Sequence, residues 1–168
     1  MASKALLLVD LENEWLDKKS DYFVGDISLM LGRTNRLIDT CRRRGYKVIF
    51  ITHIEKTGSA FAPNSKNVQI IKAIHRSKGD VLIKKNKISP FYNTSLLREL
   101  NGAKEIVVSG ILANLCVRST VQDAYDRDFK ITVVKDCCAS FDKKTQDFTF
   151  DDLKLTRPEI RFVNLRDF

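Results

Sequence analysis

The chain predicts an α/β fold of the doubly wound type. This is a three-layer sandwich with a mostly parallel sheet and helices on both faces. Three observations carry that prediction. Short apolar runs that read as buried strands alternate with segments of helical periodicity. Turn residues bound these runs, and no internal repeat or linker interrupts the alternation. Right-handed crossovers between parallel strands then make the doubly wound arrangement the default, with strand order 3-2-1-4-5-6.

The elements follow in order. Ala5–Val9 is an apolar run closed by Asp10 and reads as the first strand. Residues 26–44 place Ile27, Leu29, Leu31, Leu37, Ile38 and Cys41 at helical spacing and stop at Gly45. Val48–Thr52 is the second strand, and the Gly, Ser, Asn and Pro of residues 54–66 mark a loop. Val68–Ile74 is expected to form a short helix, Val81–Ile83 the third strand, and Asn93–Leu100 another short helix. Ile106–Ser109 is the fourth strand, ending at Gly110. Leu115–Asp128 carries Val117, Val121, Ala124 and Tyr125 on one helical face. Lys130–Lys135 is the fifth strand, residues 143–154 a helix, and Ile160–Val163 the last strand.

A length of 168 residues suits one domain spanning 1–168, long enough to bury a substantial core. No apolar run reaches the roughly 18 residues that span a bilayer, so no membrane association is expected. The opening Met-Ala-Ser-Lys-Ala-Leu-Leu-Leu-Val-Asp has a short apolar run stopped by an acid, which suits a strand rather than a signal peptide. The cysteines are Cys41, Cys116, Cys137 and Cys138. Their spacing fits neither a disulfide framework nor a zinc ribbon, so reduced thiols in a cytoplasm are expected. Cys137 and Cys138 read as buried thiols at a strand end. The net charge of +8 is compatible with an anionic small-molecule substrate. Nucleic acid is disfavoured as a partner, because the densest basic cluster, Arg42-Arg43-Arg44, sits where cations complement a helix C-terminus.

In a doubly wound sheet, ligands bind outside the carboxyl ends of the strands at the switch point. Asp10 follows the first strand, Lys85 the third and Cys116 the fourth, so all three fall on one edge. A thiol at the front of a helix feels the positive end of the macrodipole, which favours thiolate. Asp10, Lys85 and Cys116 thus form a coherent set of base, cation and nucleophile. His53 ends the second strand, a position that can face the site, and a structural role is the favoured of the two readings.

Five segments resemble the isochorismatase-like cysteine hydrolases. Leu8-Val9-Asp10-Leu11-Glu12-Asn13-Glu14-Trp15 is similar to that family's V-D-x-Q-N-x-F block. Lys85 through Thr94 resembles its K-x-x-x-S-A-F-x-G-T block, with the lysine four residues before Ser89. Gly110-Ile111-Leu112-Ala113-Asn114-Leu115-Cys116-Val117 is similar to G-V-A-T-N-x-C-V, the most specific of the five. Ser119–Ala124 and Val133–Ser140 resemble the downstream T-A-x-D-A and V-V-x-D-A-x-A stretches.

The resemblance implies a Cys-Asp-Lys hydrolase acting on amide or ureido C–N bonds through an acyl-enzyme. Cys116 would attack the carbonyl, Asp10 would carry the proton, and Lys85 would hold Asp10 as a carboxylate. Backbone N–H groups of Leu112 and Cys116 would form the oxyanion hole, beside a cis peptide expected at Ile111–Leu112. Asn114 reads as a helix cap, and Trp15, Phe91 and Tyr92 as candidate pocket walls. Dimers or tetramers are common in the family.

The chain also departs from the family. Leu112-Ala113 replaces the usual Ala-Thr, Asn93 replaces a Gly, and Phe148 stands where many members carry a late-helix histidine. Nicotinamidases hold a metal between the second and third strands with an Asp and several His. This chain has only His53 and His75, without that spacing, so neither metal nor other cofactor is expected and nicotinamidase activity is disfavoured. Three other readings compete: isochorismate (vinyl ether) hydrolysis, which needs no acyl-cysteine; a PIN-like nuclease using Asp10, Asp136 and another acid around a divalent cation; and a catalytically silent binding protein on this fold.

Overall fold

The computed structural model describes residues 3–168. Among them, six strands form one sheet: β1 (Lys4–Val9), β2 (Lys47–His53), β3 (Val81–Lys85), β4 (Glu105–Ile111), β5 (Lys130–Ala139) and β6 (Arg161–Val163). The order is β3-β2-β1-β4-β5-β6, as the alternation predicts, and every pairing is parallel. The helices are α1 (Ser28–Arg43), α2 (Leu96–Glu99), α3 (Arg118–Tyr125) and α4 (Lys143–Thr156).

The sheet is buried on both faces because side chains alternate along each strand. Leu6 and Leu8 of β1, with Val48 and Phe50 of β2, pack in one core with Leu31, Leu37, Ile38 and Cys41 of α1. Leu7 and Val9, with Ile49 and Ile51, pack in the other with Val121 and Ala124 of α3 and Phe150 and Leu153 of α4. Burial of a large aliphatic side chain stabilises by roughly 1.5–3 kcal/mol, so each helix is held by its apolar stripe. α1 ends where expected. Gly45 has φ +74, its N–H donates to Arg42 O, and Tyr46 N–H donates to Cys41 O, which closes the last turn. At the start of α4, Asp142 accepts from the Thr145 N–H at 2.8 Å.

Two expectations change. Residues 68–74 form no helix. Their backbone instead runs beside the segment after β1: Asn13 N–H donates to Gln69 O, Ile71 N–H donates to Leu11 O, and Glu12 bridges Ile70. Ile71 and Ile74 are buried by this docking, so their apolar spacing reflects contact with the first core, not helical period. The helix expected from Leu115 starts earlier and differently. Ala113–Val117 forms one wide π-type turn, in which Val117 N–H reaches Leu112 O, and α3 follows it.

No helix among the described residues is long and apolar enough to cross a membrane.

Candidate active site

Three strand ends converge at the switch point. β1 delivers Asp10, whose backbone has φ +51, a conformation that Asp tolerates better than most residues. Its N–H is held by Ile51 O at 2.9 Å, so the turn after β1 is anchored to β2. β3 ends in Lys85, and β4 runs through a cis peptide at Ile111–Leu112 into the turn that carries Cys116.

The side chains meet on one atom. Lys85 Nζ lies 2.9 Å from Asp10 Oδ2 and 3.2 Å from Cys116 Sγ. The Asp10 and Lys85 side chains are fully buried, whereas Cys116 is partly exposed. A buried ion pair is retained only when its geometry offsets desolvation, and here the lysine also serves the sulfur. Burial alone would lower the Lys85 pKa, but Asp10 and Cys116 outweigh it and hold the ammonium charged.

Cys116 behaves differently from the sequence expectation. Burial pushes its thiol up to about 12, and the Asp10 carboxylate adds to the rise, with Lys85 only partly opposing it. The helix-start position does not yield a standing thiolate. Cys116 rests as a thiol with a carboxylate beside it, an arrangement suited to proton transfer on demand.

Two neighbours complete the geometry. His53 ends β2 and is in register with Lys85 across the β2–β3 pair. Its Nδ1 lies 3.3 Å from Lys85 Nζ, so His53 faces the site, the less favoured of its two readings from sequence. Glu12 is fully buried two residues past Asp10. Its Oε2 accepts from the His53 backbone N–H at 3.0 Å, and its Oε1 has no partner among the described residues. Burial and then the nearby Asp10 charge raise the Glu12 pKa to about 9, so it is a neutral acid at pH 7. The acid-rich stretch Asp10–Glu14 is a visible signal, but its ionisation is not.

Other motif residues tie the site together. Ser89 donates to Asp123, joining the loop after β3 to α3. Thr120 Oγ1 donates to Cys116 O at 2.6 Å. Asn114 makes no helix cap; its Oδ1 accepts from Ser140 Oγ at 3.1 Å, tethering the cysteine turn to the end of β5.

The aromatic candidates separate. Trp15 joins a ring cluster with Tyr22, Phe61 and Phe141, and Phe61 also meets the His53 ring at 5.3 Å. Phe91 is buried in the core beside Phe129, with Arg127 over its face, and Tyr92 is exposed. Phe148 is 69% exposed, which removes it from any buried site. Leu112 and Ala113 are both buried in the cores. A cleft of about 600 Å³ lies near the β2–β3 edge, lined by Thr52, Ile54, Ile71 and Lys84 among others, and does not include the three converging residues. The histidines diverge, with His75 bonded to Asp39 at 3.1 Å, and no group of three or more acid, His or Cys side chains among the described residues is placed to hold a metal ion.

A family model, the Isochorismatase domain, matches residues 4–160. The chain belongs to the isochorismatase family. This hydrolase is 33% identical over 164 residues to isochorismatase family protein YaaI of Bacillus subtilis (strain 168), covering 88% of this chain and 86% of that one. It is 27% identical over 165 residues to nicotinamidase 3 of Arabidopsis thaliana, covering 89% and 79%. It also resembles the solved structure of N-carbamoylsarcosine amidase from Thermoplasma acidophilum, with TM-score 0.84, 26% identity and coverage of 98% and 97%.

Proposed function

We propose that this isochorismatase-family hydrolase cleaves the C–N bond of a small amide or ureido compound, with Cys116 as nucleophile. The observation that carries the reading is the Lys85 ammonium touching both the Asp10 carboxylate and the Cys116 sulfur. Relatives that are a nicotinamidase and a carbamoylsarcosine amidase support amide chemistry.

Asp10 takes the thiol proton as sulfur forms its bond to the carbonyl carbon. The carbonyl electron pair moves to oxygen, which the Leu112 and Cys116 N–H groups stabilise. The intermediate collapses, the C–N bond breaks, and Asp10 passes its proton to the leaving nitrogen. Water then attacks the thioester, giving its proton to Asp10. The sulfur leaves and regains that proton, and the acid departs. Lys85 keeps the carboxylate and the developing thiolate at bonding distance throughout.

The nuclease reading lacks support because its acids serve other partners. Asp10 pairs with Lys85, while Asp136 pairs with Arg33 at 3.5 Å and accepts from Leu165 N–H at 2.8 Å.

A panel of small primary amides and ureido compounds, read by ammonia release, tests the proposal. Activity is expected to survive EDTA and to vanish with iodoacetamide or Cys116→Ala. Turnover that EDTA abolishes and Cys116→Ala spares would overturn it.

A further inference from the structure

We infer that His53 and Glu55 form a positioning arm that fixes the Lys85 ammonium between Asp10 and Cys116. This inference rests on the amidase reading above.

The argument begins with donor counting. An ammonium has three N–H donors and no acceptor. The ammonium is ion-paired with Asp10 Oδ2 at 2.9 Å, donates to Cys116 Sγ at 3.2 Å and meets His53 Nδ1 at 3.3 Å, so three groups surround its three donors. Lys85 is buried, so a third donor without a partner would carry a desolvation penalty. His53 removes that penalty.

The same contact specifies the tautomer. Since Lys85 can only donate, Nδ1 must present its lone pair, and the ring proton then sits on Nε2. Nε2 faces Glu55 Oε1 at 3.3 Å, and a carboxylate is the acceptor that an N–H requires. Glu55 thus selects the tautomer in which His53 can receive the lysine.

The ring is held from several sides. His53 N–H donates to Glu12 Oε2 at 3.0 Å, and Ile54 N–H donates to Lys85 O at 2.8 Å. The Phe61 ring meets the imidazole edge-on, with centroids 5.3 Å apart and planes at 79°. Glu55 N–H donates to Phe61 O at 2.8 Å, so one closed loop brings both contacts to the ring. That loop also carries the Phe61 ring into contact with Trp15 and Tyr22.

Lysine has a long, freely rotating stem and a compact charge. Without the third contact, its ammonium has no reason to keep both remaining donors on the base and the nucleophile. The arm therefore acts through Lys85 on the ionisation of Cys116, and touches no reacting atom itself.

Three variants of the full-length chain test this. Their readouts are kcat and KM on an amide that the panel shows is hydrolysed, and the iodoacetamide alkylation rate of Cys116 followed by peptide mass spectrometry. His53→Leu is expected to lower kcat by about 10²-fold, the scale of a small misplacement of catalytic groups. KM should change little and Cys116 alkylation should slow several-fold. His53→Asn offers an amide oxygen near the Nδ1 position and should recover most of both losses. Glu55→Ala removes a partly exposed side chain, so it should fold normally while kcat falls several-fold. The arm is refuted if His53→Leu alkylates Cys116 at the wild-type rate, or if the Asn variant, folded by thermal melting, does no better than the Leu variant. Should His53→Leu fail to fold, an unchanged kcat in Glu55→Ala has the same force. Alkylation requires no substrate, so it judges the arm even if the amidase reading fails in the panel.

Discussion

Gly110 of β4 lies against Val9 of β1 so closely that a Cβ on the glycine would stand 2.0 Å from the Val9 carbonyl oxygen. Its φ of +137 is likewise closed to residues with a side chain. Asp10 follows Val9 and the cysteine turn follows Gly110, so this contact sets the spacing between two of the three converging residues. The β4–β5 register also shifts between Val108 and Gly110. Gly110→Ala is expected to cost about 3 kcal/mol or more, beyond the usual overpacking range, because the clash is with backbone. Chemical denaturation should show the loss, and any folded fraction should have lost turnover.

Lys85→Met should destabilise the protein by about 3–5 kcal/mol, since it leaves the Asp10 carboxylate buried without its cation. The double variant Lys85→Met with Asp10→Asn should regain much of that stability but none of the activity. A double-mutant cycle by urea denaturation checks the coupling.

Asp10→Asn should act in opposite directions on two readouts. It removes a charge that raises the Cys116 pKa, while Lys85 continues to favour thiolate. Cys116 alkylation at pH 7–8 is therefore expected to be faster than in the wild type, whereas amide turnover is lost with the base. Equal slowing of both would contradict a thiol activated by Asp10.

Glu12 makes stability fall with pH. Its folded pKa of about 9 is raised above the ordinary 4.5, so the folded state holds a proton that the unfolded chain has released. The contribution is full below about pH 4.5 and lost as pH rises toward about 9, at up to about 1.4 kcal/mol per pH unit. Thermal melts between pH 5 and pH 9 should show a decline in the wild type. Glu12→Gln, neutral at every pH and able to accept from the His53 N–H, should flatten it.

The strand order was legible in the chain because each apolar run is short, bounded and separated by helical spacing, and handedness leaves few ways to connect parallel strands. The convergence of Asp10, Lys85 and Cys116 was legible for the same reason: residues just past parallel strands must share an edge. Val68–Ile74 was misread because a short apolar run that docks on a neighbouring loop has the same composition as a buried helical turn. His53 was undervalued because its partner is 32 residues away, and only the β2–β3 register puts the two side chains together. Sequence alone determined the sheet, its order and the convergence of Asp10, Lys85 and Cys116 on one edge. The charge each residue carries was decided by the tertiary structure: burial and the Asp10 charge keep Cys116 a thiol and Glu12 an acid, while Asp10 and Cys116 outweigh burial and keep Lys85 an ammonium. Desolvation and Coulomb energy depend on distances that spacing along a chain does not contain.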